Sequence, residues 1–217
     1  MSGIDLTGMI LLAAPAGDYD RRLVILTKER GKITAFARSA RKPNSPMLAS
    51  TVPFSFGTFH LYEGKNAYTC VGADISNYFD KLKTDFEGAY YGFYFMEFAA
   101  YYAQENMDGK DMLNLLYAAL TALENPRLDD RTTRYAYEVR IMVIEGEFPQ
   151  DIVQDRSLSE GTRYAFWHMI TSPIQELFAF RISEQILSEL ASAQDRIRDR
   201  LVDRKFKSLE ILKTITI

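Results

Sequence analysis

Short runs in which apolar and polar residues alternate occupy the first 80 residues, and turn-forming residues separate these runs. Alternation of this kind buries one side of a segment and exposes the other, which is typical of β-strands. Five strands in about 75 residues match a small closed barrel, and we predict an OB-fold. The predicted strands cover residues 8–13, 23–27, 33–38, 52–62 and 66–73.

Glycine and proline mark the connections between these strands. Gly31 lies in the sequence ERGK at 29–32, and we expect it to take a positive φ in a tight hairpin. Residues 17–20 and 63–65 are predicted turns. Residues 39–50 contain Pro43 and Pro46 and are predicted to form a basic loop.

Beyond residue 80 the apolar positions recur at helical spacing. Helices are predicted over 86–102, 112–123 and 135–144, and 173–202 forms one long helix or two. Ser157 and Glu160 have the spacing of a capping box, so a helix is expected to begin after Ser157. The predicted fold class is α+β, with an OB-fold barrel over residues 1–80 and an all-α helical domain over 81–217.

The helix predicted over 86–102 is rich in aromatic residues on every side, which is typical of a buried central helix. Stacking on nucleobases is the alternative, and core packing is the interpretation that we favour. The rings are Tyr90, Tyr91, Phe93, Tyr94, Phe95, Phe98, Tyr101 and Tyr102.

Charge is distributed unevenly along the chain. The 217 residues carry 26 Lys and Arg against 29 Asp and Glu, a formal net charge of −3. Between Arg21 and Lys42, however, eight basic residues stand against Glu29 alone. Screening confines each charge to about 10 Å at 0.1 M salt, so a partner responds to this local excess. The excess favours a nucleic-acid partner, and the alternative is a solvated face balanced by acids elsewhere in the chain.

Little in the sequence supports catalysis. His60 and His168 are the only histidines, and no Gly-rich phosphate loop, nucleophile elbow or metal-binding carboxylate cluster is recognisable. Cys70 is alone, which excludes an internal disulfide and a multi-cysteine metal site and favours a buried, inert thiol. We therefore expect a non-enzymatic protein without cofactor or metal. No signal peptide or membrane span is recognisable, so we expect a cytoplasmic protein.

Four stretches of the sequence resemble the RecO family of bacterial DNA repair and recombination mediators. The N-terminal stretches match in order and spacing, and the helical part matches mainly in pattern. The stretches are 7–11 (TGMIL) followed by 20–33 (DRRLVILTKERGKI), then 37–45 (ARSARKPNS), then 48–49 (LA) leading into 53–55 (PFS), and 205–212 (KFKSLEIL).

The resemblance implies an N-terminal OB-fold and a helical C-terminal domain in a nucleoid-associated protein. Such proteins bind single- and double-stranded DNA, anneal complementary strands and, with RecR, help RecA displace single-stranded-DNA-binding protein. The DNA contacts that the resemblance implies are Lys28, Arg30, Lys32, Arg38, Arg41 and Lys42. The acidic tail of the partner protein would fall near Arg204, Lys205 and Lys207.

The sequence departs from the family at the position of a zinc module, and it also allows an alternative function. Many family members carry a four-cysteine zinc module after the segment that reads GEFP here at 146–149, whereas residues 150–163 contain no cysteine. We infer a zinc-less variant, in which the module is lost or replaced by a helical connection. The alternative function is a protein-interaction adaptor whose helical domain is the main binding surface and whose barrel contacts DNA only weakly.

Overall fold

The structure is a computed structural model that describes residues 3–215. Within that range five β-strands are followed by seven α-helices, which confirms the α+β class. The strands are β1 (Gly3–Ala16), β2 (Asp20–Thr27), β3 (Gly31–Ala37), β4 (Phe56–Glu63) and β5 (Tyr68–Asn77). The helices are α1 (Phe86–Tyr102), α2 (Lys110–Leu123), α3 (Asp130–Ile144), α4 (Glu160–Thr171), α5 (Ile174–Leu177), α6 (Glu184–Leu201) and α7 (Lys207–Ile215).

The five strands close into a barrel in the order β1-β2-β3-β5-β4. Neighbouring strands are antiparallel except for β3 and β5, which run parallel and pair through Ala35–Tyr68, Phe36–Thr69 and Ala37–Cys70. Because a closed barrel has one inner and one outer surface, each strand must alternate between them.

Alternation decides which side chains fill the barrel. Leu23 and Ile25 of β2 and Ala35 of β3 are fully buried in its core. Arg22 directly precedes Leu23, and Phe36 directly follows Ala35. Both consequently lie on the outer surface, where they are exposed. The inward positions are apolar and small or branched, as a narrow barrel interior requires.

Two compact units make up the chain. The first consists of residues 1–80 together with 99–113, and the second of residues 81–98 together with 114–217. Residues 99–113 therefore belong with the barrel, although the first part of α1 does not.

Residues 103–109, which we call the strap, are hydrogen-bonded to the tip of the β2–β3 hairpin. These bonds replace the strand neighbours that the tip would otherwise lack, because its backbone groups need partners once they leave solvent. The bonds join Lys32 N to Gln104 O (2.9 Å), Asn106 N to Arg30 O (3.0 Å) and Gly109 N to Lys28 O (3.0 Å).

Two glycines allow the strap to approach this closely. Gly31 has a φ of +61°, which confirms the predicted turn conformation. A Cβ at Gly31 would lie 2.2 Å from Gln104 O, and one at Gly109 would lie 2.2 Å from Thr27 O. Both oxygens are backbone atoms, so neither can move away as the end of a flexible side chain could.

The core of the helical unit is built on aromatic residues of α1. Tyr94, Phe95 and Phe98 are fully buried, so core packing is confirmed for them. The ring of Phe95 stacks on Tyr137 with centroids 4.4 Å apart. The Tyr94 hydroxyl donates to Glu138 Oε1 at 2.7 Å, which supplies the partner that a buried phenol requires.

Glu138 is a charged residue at the centre of this core, with no exposed surface. Burial alone would raise the pKa of its carboxyl, but Arg134 and Arg198 outweigh that effect and hold the pKa below its usual value. The Nε of Arg134 donates to Glu138 Oε1 at 2.8 Å. Breaking such a buried pair costs about 3–5 kcal/mol, because it leaves the remaining charge without a partner.

Several element boundaries differ from the predicted ones. The N-cap of α4 is Ser159, whose side chain accepts from Thr162 N, so the prediction of Ser157 is wrong by two residues. β1 is longer than predicted at both ends, and β4 begins at Phe56, after the turns of residues 52–55. Residues 173–202 contain two helices separated by the irregular segment 178–183, which is the second of the two predicted alternatives.

The close approach at Gly31 predicts a specific loss of stability. Gly31→Ala should lower the free energy of unfolding more than Gly17→Ala, measured by urea denaturation. Both glycines have a positive φ, but a Cβ at Gly17 would meet nothing within 4 Å. Gly17→Ala should therefore cost only the backbone strain of about 1–2 kcal/mol. Equal losses in the two variants would show that the strap does not hold the hairpin tip.

Candidate nucleic-acid interface

The six basic residues predicted to contact DNA lie at two ends of the β2–β3 hairpin. Lys28, Arg30 and Lys32 surround the hairpin tip, whereas Arg38, Arg41 and Lys42 follow the far end of β3. Arg38 lies six residues after Lys32, a separation of about 20 Å at the rise of a β-strand. The structure thus brings these residues together as two groups of three.

At the hairpin tip, one basic side chain, that of Lys32, contributes to the fold itself. Lys32 Nζ donates to Ala100 O at 2.7 Å, in the last turn of α1, where backbone carbonyls lack partners within the helix. Glu29 and Glu105 also lie here: Glu29 accepts from Thr7 N, and Glu105 pairs with Gly31 in an isolated β-bridge. The tip is therefore occupied by the strap and carries acids beside its cations.

At the other end, residues 38–55 form what we call the cationic loop, which contains three basic residues and no acidic one. The turn between β1 and β2 holds its beginning in place. Arg41 N donates to Tyr19 O at 2.8 Å, and Ser39 N donates to Asp20 Oδ1 at 2.7 Å. Ser39 has a φ of +54°, so the chain turns sharply directly after Arg38.

Arg21 anchors the later part of the cationic loop. Its Nη1 donates to Leu48 O at 2.8 Å, to Thr51 O at 3.0 Å and to Thr51 Oγ1 at 2.8 Å. Burial, followed by the nearby charge of Arg41, lowers the pKa of the Arg21 guanidinium. Arg21 is thus a structural residue whose positive charge adds to the potential around the loop.

The side chains of Arg38, Arg41 and Lys42 are exposed. Between residues 3 and 215, no carboxylate forms an ion pair with any of the three. Lys42 Nζ lies 5.5 Å from the centroid of the Tyr19 ring, a weak cation–π contact at an exposed site. Arg41 Nη1 also donates to Gly17 O at 3.4 Å and to Asp18 O at 3.3 Å, so backbone carbonyls engage part of its guanidinium. Within the described range no carboxylate neutralises the three charges, so they can attract an external anion.

The outer surface of the barrel adds groups that were not among the predicted contacts. Arg22 is exposed beside Phe36, which is its partner on β3. Phe36 and Tyr62 are 39% and 40% exposed, whereas Phe59 is fully buried. The alternation around Leu23 was the sequence signal that could have placed Arg22 outside.

The three predicted partner contacts lie in the helical unit. Arg204, Lys205 and Lys207 are exposed in and after the connection from α6 to α7. They adjoin Phe206, which is 3% exposed and packs against Phe98 with ring centroids 5.4 Å apart. Arg204 and Lys205 also line a pocket with Val202 and Leu209 as its apolar part.

The described residues also bear on metal binding, thiol chemistry and membrane insertion. Residues 3–215 contain no group of three or more His, Cys, Asp or Glu that could hold a metal ion. Cys70 is buried, as predicted, and burial raises the pKa of its thiol to about 11. No helix in this range is long and apolar enough to cross a membrane.

Comparison with known proteins finds one family model and relatives along the whole chain. Residues 1–79 match the family described as "Recombination protein O N terminal". The chain is 24% identical over 246 aligned positions to the DNA repair protein RecO of Acetivibrio thermocellus, which covers 99% of this chain and 98% of that protein. The N-terminal part thus carries a RecO domain match, and the chain is similar to RecO proteins over its length.

Two further RecO relatives show how the similarity is distributed. The DNA repair protein RecO of Clostridium perfringens is 23% identical over 99% of both chains. That of Heliobacterium modesticaldum is 40% identical over 77 residues, which cover 36% of this chain and 28% of the relative. The 77 matched residues are about as many as the five strands and their connections contain.

The anchoring role of Arg21 can be tested by proteolysis. Arg21→Ala should release the cationic loop, since three hydrogen bonds to Leu48 and Thr51 are lost. We expect trypsin to cleave after Arg38 and Arg41 several times faster than in the unaltered protein, as followed by mass spectrometry. Arg22→Ala is the control, because it removes one exposed arginine from the same strand. Unchanged cleavage in Arg21→Ala would refute the anchoring role.

Proposed function

We propose that the protein is a non-enzymatic, DNA-binding recombination mediator whose barrel is an OB-fold. The RecO N-terminal match and the similarity to RecO proteins over the whole chain support a role in DNA repair and recombination. The observation that carries the proposal is the presence of three unpaired cations, Arg38, Arg41 and Lys42, on an acid-free loop at one end of a closed barrel.

The strand order supports the OB-fold. OB-folds are five-stranded Greek-key barrels that bind oligonucleotides on the face of strands 2 and 3. In this barrel the corresponding outer face carries Arg22 and Phe36, and the cationic loop leaves from its end. The domain boundary at residue 80 stays part of the proposal.

The cationic loop is proposed as the main phosphate-binding element. Cations near a polyanion release condensed counterions from it, so binding should weaken steeply with salt and show little sequence preference. Of the six residues that the family resemblance implies, Arg38, Arg41 and Lys42 fit this role. Lys28, Arg30 and Lys32 adjoin the strap and its acids, so we expect them to contribute less.

Strand annealing follows from the same electrostatics. Two DNA strands repel one another until cations neutralise part of their phosphate charge. A surface that binds phosphates leaves the base edges free to pair, because backbone contacts carry no sequence information. The protein would thus bind both single- and double-stranded DNA and bring complementary strands together without consuming a substrate or needing a metal.

The proposed protein partners are RecR, single-stranded-DNA-binding protein and, functionally, RecA. Arg204, Lys205 and Lys207 support a site for an acidic tail, since they are exposed beside a pocket with an apolar part. The same observation favours the second candidate function, an adaptor that acts mainly through its helical unit. That function predicts strong binding of an acidic peptide and weak binding of DNA.

The salt dependence of DNA binding tests the proposal. A triple variant, Arg38→Gln with Arg41→Gln and Lys42→Gln, should reduce the slope of log K against log salt by about 2 units on a single strand and by up to about 3 on a duplex. Fluorescence anisotropy of a labelled oligonucleotide across a salt series measures the slope. The matched control at the hairpin tip is Lys28→Gln with Arg30→Gln. A slope that falls only in the control would place the phosphate site at the tip instead.

A further inference from the structure

The outer surface of the barrel carries a single row of side chains that crosses four strands. Arg22 on β2 pairs with Phe36 on β3, Phe36 with Thr69 on β5, and Thr69 with Tyr62 on β4. Directly paired residues on adjacent strands point to the same side of a sheet. We call Arg22, Phe36, Thr69 and Tyr62 the outer row.

The inward neighbours of the outer row confirm its orientation. Ala35, Ala37, Leu61 and Cys70, which flank the row along β3, β4 and β5, are at most 1% exposed. The two rings in the row therefore lie on the outside as a consequence of barrel packing. Gly3, which pairs with Tyr62 on β1, has no side chain to cover the ring.

We propose that Phe36 and Tyr62 are stacking platforms for unpaired bases, which makes the barrel face selective for single-stranded nucleic acid. This inference rests on the proposed DNA binding and adds the ligand feature that the face recognises. The rings stand on the two strands that flank β5, about 10 Å apart by strand spacing, so they would accept two different bases.

The charges around the row indicate the class of ligand. Isolated exposed aromatics are common on protein surfaces and carry no meaning alone. Here Phe36 lies between exposed Arg22 on the neighbouring strand and exposed Arg38, which is two residues further along the chain at the start of the cationic loop. Between residues 3 and 215 neither arginine forms an ion pair with a carboxylate. An apolar ring between two unpaired cations fits a ligand that is anionic and carries aromatic faces, as a single DNA strand does.

A duplex would not use the platforms in this way. Its bases are stacked on one another, so only its phosphates can meet the cationic loop. Single-strand binding should therefore have two components, one from the phosphates and one from the bases. Stacking on an aromatic side chain changes affinity by about five- to a hundredfold per base and depends little on which base is present.

The inference is tested by measuring how tightly the protein binds three ligands. They are an oligothymidine of 20 nucleotides, an abasic strand of equal length, and a duplex. Phe36→Ala with Tyr62→Ala should weaken oligothymidine binding at least fivefold and leave the abasic strand and the duplex unchanged. Leu12→Ala is the control, since Leu12 is an exposed apolar residue of the barrel outside the row. Equal affinity of the variant and the unaltered protein for oligothymidine would overturn the stacking role.

A second variant removes the ambiguity that a fold defect would cause. Phe36→Trp in a Trp167→Phe background retains a ring and leaves one tryptophan, since Trp167 is the only one in the sequence. Its fluorescence should be quenched by oligothymidine and not by the abasic strand, and an equal response to both would contradict stacking. If the triple variant of the cationic loop still bound the abasic strand and the duplex normally, the proposed phosphate site would fail independently of this result.

Discussion

The hydrogen bonds between the strap and the β2–β3 hairpin decide which basic residues can meet a polyanion. They hold the backbone of the hairpin tip against the strap, and Lys32 is held on a carbonyl of α1. Gly31 and Gly109 make the approach possible, since a side chain at either position would collide with backbone. The backbone at one end of the hairpin is therefore engaged in hydrogen bonds within the fold. The cationic loop lies at the other end.

The two units also differ in how their basic residues are paired with acids. In the helical unit, Arg134 is bonded to Glu138, Arg198 to Asp195, and Arg131 to Glu184, so these guanidinium groups serve the fold. In the cationic loop no carboxylate takes that role for the basic residues. The net charge of −3 is therefore a poor guide to partners, because most of the acids lie beyond residue 80 and interactions at surface distances are screened.

The sequence predicted the local features and could not predict the long-range ones. Gly31 was placed correctly in a turn, and the apolar character of a free thiol predicted the burial of Cys70. The pattern of α1 predicted the burial of Tyr94, Phe95 and Phe98 but not the 38% exposure of Phe93. The strap was not foreseeable, because its contacts join residues about 75 positions apart and depend on backbone groups that carry no sequence signal. For the same reason, the eight basic residues between Arg21 and Lys42 were interpreted as one patch. In the structure a strand of about 20 Å separates two groups of them. The paired row of Phe36 and Tyr62 likewise depends on the parallel contact between β3 and β5.

Photochemical crosslinking from defined positions tests most directly which end of the barrel meets DNA. Cys70 is buried, so a cysteine introduced at Asn44 or at Glu29 can be labelled selectively with a photoactivatable reagent. Asn44 lies in the cationic loop, and Glu29 lies at the hairpin tip. The account predicts abundant protein–DNA adducts from position 44 and few from position 29 when a single-stranded oligonucleotide is irradiated with each labelled protein. Adducts that form mainly from position 29 would contradict it.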